Sequence, residues 1–409
     1  MHNASAMDAI PGWRRYELGQ VARRITRKNR VGNNNILTIS AKHGLVSQEE
    51  YFRRRVASSD ASAYFLLERG DFAYNKSYSD GFPAGVIRRL ERYDSGVVSP
   101  LYICFRPLGE LVDSTFLSHY LDSGIVNDDI LWIAKEGVRN HGLLNVKVED
   151  FFSIQIQLPS LSQQQRIATI LETLDSCIHG SERLVAKLEM MKSGLLDSLF
   201  SFEEWPLKRI SEICTITSGT TPPRSEASRY FATQGVPWVK TLDLNEGLIC
   251  ETEERVTPAA ISHMRLKILP EGTVLVAMYG GWEQVGRTAM LAIPAAVNQA
   301  ISALVPTSDI VPEFLLRALQ QRRPHWRPVA ASTRKDPNIT KDDVHAFLVP
   351  TPPIETQERI ARVYALHLTR IAAELRIRDK LINMKLGLRK DLLTGRVGVS
   401  EAETALNDL

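Results

Sequence analysis

Cysteine is scarce, with four residues (Cys104, Cys177, Cys214 and Cys250) in a chain of 409. They lie far apart and form no Cys-x-x-Cys pair, which excludes a disulfide framework and a zinc ribbon and points to a reducing compartment. Long apolar runs are missing too: no stretch approaches the roughly 20 residues of a membrane-spanning helix. The opening MHNASAMDAIPGW lacks the apolar core of a secretory signal, so a cytoplasmic setting is expected. Charge of one sign is not in excess either, since 50 basic and 47 acidic residues leave a net charge of +3. That balance carries almost no information about nucleic acid.

The familiar catalytic signatures are absent as well. The sequence has no Gly-x-x-x-x-Gly-Lys-Ser/Thr phosphate loop, no Gly-x-Gly-x-x-Gly turn and no His-Glu-x-x-His metal pair. The Asn/Asp-Pro-Pro-aromatic loop that holds an extruded adenine in amino-methyltransferases is missing. Thr221-Pro222-Pro223-Arg224 and Thr351-Pro352-Pro353-Ile354 lack its polar first and aromatic last residues. No acidic spacing suggests a metal-dependent nuclease, and His43, His119 and His141 have no partner nearby in sequence. The expectation is therefore a protein without catalytic residues, metal or cofactor.

What is present is a long-range repeat. Gln165-Arg166-Ile167-Ala168 returns as Glu358-Arg359-Ile360-Ala361, an offset of 358 − 165 = 193. The same offset carries Leu158-Pro159-Ser160 onto Thr351-Pro352-Pro353, Ile178 onto Ile371, Leu188 onto Leu381, Lys192 onto Lys385 and Gly194 onto Gly387. Trp13, Leu18 and Val21 match Trp205, Ile210 and Ile213 at 205 − 13 = 192. A period of this size is a whole domain plus a connector, not a solenoid unit, so the chain is a duplication.

Each copy divides into a mixed part and a helical part. In the first, NNNILTIS, GDFAYNKS, GVVSPLYICF and DFFSIQIQLP read as strands, with helices near Gln48 to Arg55 and Thr115 to Gly124. In the second, GVPWVKTLDL, GTVLVAMYG, TAMLAIP and ISALVP read as strands, and Val311 to Gln321 as a helix. From Leu161 to Phe200 apolar residues recur at Leu171, Leu174, Ile178, Val185, Leu188, Leu195 and Leu199, the stripe of a long helix interrupted at Ser181 and Lys192. Ser162 and Gln165 have the spacing of a capping box. The second copy places Glu355 and Glu358 in its first turn and stops before Gly395. Each helix would be about 35 to 40 residues, roughly 50 to 60 Å.

Such a helix cannot bury its stripe on its own small domain, so the two related helices are expected to pack antiparallel, with the domains at opposite ends about a pseudo-twofold axis. Gly194 and Gly387, each costing about 1 kcal/mol in a helix interior, suggest close backbone approach to the other helix or to a partner chain; a frayed last turn is the alternative. The fold class is then α+β, with boundaries at 1–158, 159–202, 203–353 and 354–409: a first domain, a central helix, a second domain, and a C-terminal helix with its tail.

Candidate ligand-contacting residues fall in loops that follow strands. AYNKSYSDGFP offers Asn75, Lys76, Ser77, Tyr78 and Ser79; AMYGGWEQVGR offers Tyr279, Gly280, Trp282, Gln284 and Arg287. Amides and guanidinium groups suit base edges, lysines suit phosphates, and glycines allow close backbone approach. Lys42, Lys240, Thr241, Arg334 and Lys335 complete the set. A tight hairpin explains either loop alone; similar placement in both copies with different residues suits two half-sites of different sequence. Basic runs at Arg23 to Arg30, Arg53 to Arg55, Arg88 to Arg92 and Arg322 to Lys335 can neutralise phosphates, although a solvated helix face accounts for any one of them.

The entry segments from Trp13 and Trp205, the GDFAYNKS and GTVLVAMYG strands, Asn298-Gln299-Ala300-Ile301, and the proline segments leading into Gln165-Arg166-Ile167 and Glu358-Arg359-Ile360 together resemble the specificity subunit of Type I restriction-modification systems over nearly the full length. The first helix entry reads Ser-Gln-Gln-Gln where the family usually has an acidic residue before the glutamine. The resemblance implies two target-recognition domains reading the halves of a split, asymmetric DNA site, with half-sites about one turn, roughly 34 Å, apart. It also implies two long helices that act as a ruler and recruit two methyltransferase subunits, and leaves open whether a restriction subunit joins the same complex. Adenine methylation and ATP-driven cleavage would then belong to those partners, the adenine leaving the stack to be methylated. A free-standing methyltransferase or nuclease, or a protein-binding scaffold, are the other classes such a chain could serve.

Overall fold

The computed structural model describes residues 10–52, 61–77, 81–134, 143–201, 205–330 and 337–407, with side chains to residue 404. It divides into two compact units, Met1–Ser181 with Ile377–Leu409, and Glu182–Arg376. The α+β class and both long helices expected from the repeat are present. The helices span Leu161–Phe200 and Ile354–Leu393, 40 residues each, and 354 − 161 again gives 193.

In the first unit, strand Arg14–Glu17 pairs antiparallel with Gln155–Leu158, joining the two ends of the domain. A four-stranded antiparallel sheet follows in the order Ala22–Arg24, Ile103–Pro107, Phe72–Asn75, Val86–Arg89. Phe72, Ala73 and Tyr74 are all buried, as expected of a strand covered on both faces. Phe72 stacks on Phe105 at 5.1 Å and Tyr74 on Phe151 at 5.0 Å. GVVSPLYICF forms two strands, Ser95–Val98 and Ile103–Pro107, because Pro100 cannot donate to a ladder. DFFSIQIQLP begins as the end of helix Val148–Phe152 and only then becomes a strand.

The first unit's core runs on into the long helices: Ile167, Leu171 and Leu174 of the central helix and Leu392 and Leu393 of the C-terminal helix share one apolar cluster with Phe116 and Ile156. Lys385 donates to Asp175 across the pair, so here the start of one helix lies along the end of the other. A last helix, Val399–Asn407, returns to the unit through buried Val399 and Ala402 and the Arg166–Glu403 ion pair.

The second unit repeats the plan. Leu207–Arg209 pairs with Leu348–Pro350, and a five-stranded sheet runs Cys214–Ser218, Ile301–Pro306, Val274–Ala277, Thr288–Leu291, Leu248–Ile249. A smaller sheet places Phe231–Val239 between Glu254–Val256 and Ala296–Val297. Helix Pro312–Gln321 packs its Phe314, Leu315 and Leu319 into the core with Ile360 of the C-terminal helix. Here His367 Nε2 lies 3.0 Å from the carbonyl of Leu188, joining the second half of the central helix to the first half of its counterpart.

Two details of the helices differ from expectation. The capping box is Ser160 with Gln163, whose side chains reach each other's backbone N–H at 3.3 and 3.4 Å, because the helix begins at Leu161 and not at Ser162. At Gly194 and Gly387 an added Cβ would meet nothing within 4 Å among the described residues. Both glycines lie inside continuous helix, so neither close approach of the other helix nor a frayed turn accounts for them.

Candidate nucleic-acid interface

Antiparallel register decides which loops gather at one place. In the second unit Ser218 lies opposite Ser302, Ala277 opposite Ile301, and Val276 opposite Thr288. The connections that follow Ser218 and Ala277 and precede Thr288 and Ile301 therefore all emerge from one edge of the sheet. Asn298 N donates to Val239 O, which brings Lys240 and Thr241 to the same edge. In the first unit Asn75 lies opposite Val86 and Tyr74 opposite Ile103. Asn75, Lys76 and Ser77 thus leave the corresponding edge of the four-stranded sheet.

The residues at these edges are held differently. Asn75 Oδ1 accepts from Ser77 N at 3.1 Å and Lys76 O from Leu144 N at 2.9 Å, so the turn is shaped by its own side chain and a neighbouring segment. Lys42 is exposed at the turn of a separate hairpin, Leu37–Ser40 with Gly44–Ser47, beside Ala41, whose carbonyl accepts from Arg88. Tyr78, Ser79, Arg334 and Lys335 lie outside the described residues.

In the second unit Tyr279 and Trp282 are 43% and 49% exposed. Trp282, with the Arg327 guanidinium 5.9 Å from its ring centre, lines a cleft of about 780 Å³ with Glu189 and Lys192 of the central helix. Arg287 Nη1 lies 3.5 Å from Gln284 Oε1, at the outer limit of a hydrogen bond, and its Nε is buried with no partner among the described residues. Gly280, Gly281 and Gly286 all have positive φ, and a Cβ on Gly286 would come within 2.3 Å of Trp326. The loop can pass over the buried indole only as glycine.

Lys240 is tied down. Its ammonium sits 2.8 Å from Glu253 and 3.7 Å from Glu254. The hydrogen bond to Glu253, with Glu254 beside it, holds its pKa above the usual lysine value. The third basic run is absorbed in the same way, Arg88 pairing with Asp122, Arg89 with Glu91 and Arg92 with Glu50, as are Arg27 of the first, with Glu68, and Arg323 of the fourth, with Glu246. Arg53 to Arg55 lie outside the described residues. Sequence reasoning passed over Thr221, which hydrogen-bonds Gln299 at the second unit's edge, and Glu246. Their polarity is ordinary, and nothing local marks them.

Fold and loop edges define a class: a duplicated α+β scaffold in which two matched helices carry loops of unlike sequence. The family model for the Type I restriction modification DNA specificity domain matches residues 94–190 and 202–381. The chain belongs to this family. It is 25% identical over 211 residues to the Type I restriction enzyme EcoR124I/EcoR124II specificity subunit of Escherichia coli, covering 50% of this chain and 51% of that one. Thus the chain spans about half the length of that relative in the match. To the HindI specificity subunit of Haemophilus influenzae it is 20% identical, covering 76% and 82%. Among solved structures it resembles the HsdS subunit from Thermoanaerobacter tengcongensis, with TM-score 0.56, 20% identity and coverage of 96% and 99%. A chain from a study of assembly and conformational transition in the type I R-M system matches with TM-score 0.58, 20% identity and coverage of 95% and 99%. These structural likenesses concern the fold. Among the described residues no helix is long and apolar enough to cross a membrane.

Proposed function

We propose that this chain is the non-catalytic DNA-recognition subunit of a Type I restriction-modification complex. Each unit reads one half of a bipartite, asymmetric site, and the two long helices dock two methyltransferase subunits, with restriction subunits joining the same cytoplasmic assembly. One observation carries the reading. The two helices match over 40 residues at a constant offset, while the loops at the equivalent sheet edges, AYNKSYSDGFP and AMYGGWEQVGR, share almost no side-chain chemistry. A constant frame with unlike loops suits one kind of partner bound twice and two different DNA sequences read once each.

Asn75 and Ser77 in the first unit and Tyr279, Gln284 and Arg287 in the second are assigned to base edges and nearby sugar-phosphate. Gln pairs naturally with adenine and Arg with guanine in the major groove. Lys76 and Lys42 are assigned to phosphate. Gly280 lets the backbone approach the duplex. Lys240 and Thr241 serve the edge from within, since freeing Lys240 breaks two ion pairs. The test is adenine-methylation mapping of host DNA with and without this chain. A bipartite motif is expected to vanish with the chain and return with it. Methyl transfer from S-adenosylmethionine by the purified chain alone would refute the reading.

A further inference from the structure

Arg323 sits in the turn that follows helix Pro312–Gln321, and its sequence neighbours Arg322 and Arg327 make it look like part of a phosphate-binding patch. Its guanidinium is spent otherwise. Nη1 donates to Glu246 Oε1 at 2.8 Å, Nη2 to the carbonyl of Glu283 at 2.8 Å, and Nε lies 3.4 Å from the carbonyl of Val285. Two of these acceptors belong to the backbone of the loop between Ala277 and Thr288. The third belongs to a residue that is itself fixed: Glu246, at φ 63°, donates its N–H to Thr288 O, and its carbonyl accepts from Gln320 Nε2 at 2.7 Å and Arg317 Nη1 at 3.3 Å.

We propose that Arg323 is the positioning residue of the second recognition loop, the planar fork that fixes the backbone carrying Tyr279, Gln284 and Arg287. This rests on the reading that the loop contacts the second half-site. With Gly280, Gly281 and Gly286 at positive φ, the loop backbone has more accessible conformations than an ordinary hairpin. Its own hydrogen bonds, from Gln284 and Val285 N–H to Gly281 O, close a local turn, and Gly286 N–H to Ala277 O and Met278 N–H to Ala300 O tie its two ends to the sheet, but Glu283 O and Val285 O, in the outer part of the loop, are held by Arg323. Arg323 fixes that outer part against Glu246, because a guanidinium directs several donors in one plane and a lysine ammonium does not. Base discrimination depends on placing side-chain donors and acceptors to within fractions of an ångström, so a loop that rocks retains phosphate contacts and loses selectivity.

The experiment uses the full chain assembled with its methyltransferase partner and a plasmid library randomised across both half-sites, with methylated sequences read out. Arg323→Lys is expected to leave the first half-motif unchanged and to lower the thermal midpoint only modestly, while lowering discrimination at one or more positions of the second half-motif, on the order of tenfold for a misplaced hydrogen-bonding group. Glu246→Gln attacks the clamp from its other side and is expected to relax the same positions, which keeps the test decisive if Arg323→Lys does not fold. An unchanged second half-motif in the folded clamp variants, alongside a changed one in Gln284→Ala, overturns the positioning role alone. If Gln284→Ala and Arg287→Ala also leave the motif unchanged, the loop does not read DNA, and both the loop assignment and the clamp fall.

Discussion

At residues Gln164 and Gln357 a neutral amide does what a carboxylate cannot. Gln164 Nε2 donates to the carbonyls of Pro159 and Leu111 while Oε1 accepts from Asp113 N; Gln357 repeats this with Pro352, Asp309 and Val311 N. Both side chains are 1% exposed. Each fastens the first turn of a long helix to its domain, and a carboxylate there would have no proton to donate to the two carbonyls. The repeat was visible one residue further on, at Gln165 and Glu358, but those positions are exposed; burial singles out the neighbour. His119 is a second case. Burial, with the Lys385 charge next, pushes its pKa down to about 4 from 6.5. Between those values the unfolded chain binds a proton that the folded chain does not. The stabilisation is thus fully present above pH 6.5 and lost as pH falls toward 4, by up to about 3 kcal/mol. Urea unfolding of His119→Asn should show a flatter stability profile than the parent across that window, and parallel profiles would remove His119 as the cause.

At the scale of elements, the long helices were legible because a stripe of period 3.6 over 40 residues has no competing explanation. Of the expected stripe, Leu171, Leu174, Ile178 and Leu188 are buried, and Ser181, which looked like an interruption, is buried among them at 6% exposure. Short elements were less legible. Helices Leu18–Val21 and Ile210–Ile213, one turn each, carry no periodicity, and they exist because their apolar residues close the sheet cores. The open space around Gly194 and Gly387 gives a test at this scale. Alanine at either position should raise stability by up to about 1 kcal/mol, measured by chemical denaturation. A variant that is more stable yet fails to assemble with methyltransferase subunits would place a partner's backbone against that glycine.

At the scale of the whole molecule, each unit has its own apolar cores, to which segments of both helices contribute. Gln164→Ala leaves the Leu111 and Pro159 carbonyls and Asp113 N without their partner, a cost of about 3 kcal/mol. Hydrogen exchange should accelerate in Gln155–Leu158 and Ser114–Asp122, and Gln357→Ala should do the same for Leu348–Pro350 and Pro312–Gln321. Equal acceleration in both units from either change would contradict separate cores. Composition and the 193-residue repeat by themselves determined the duplication, the α+β class, the pair of helices and which loops differ, because each is written in local pattern or in the comparison of one stretch with another. Only the tertiary structure decided which arginines are ion-paired within the frame, which glutamine fastens each helix, and that Arg323 grips the glycine loop. Most of those facts depend on partners far away in sequence, 77 residues from Arg323 to Glu246. The energy of a charge or amide is set by what folding brings beside it.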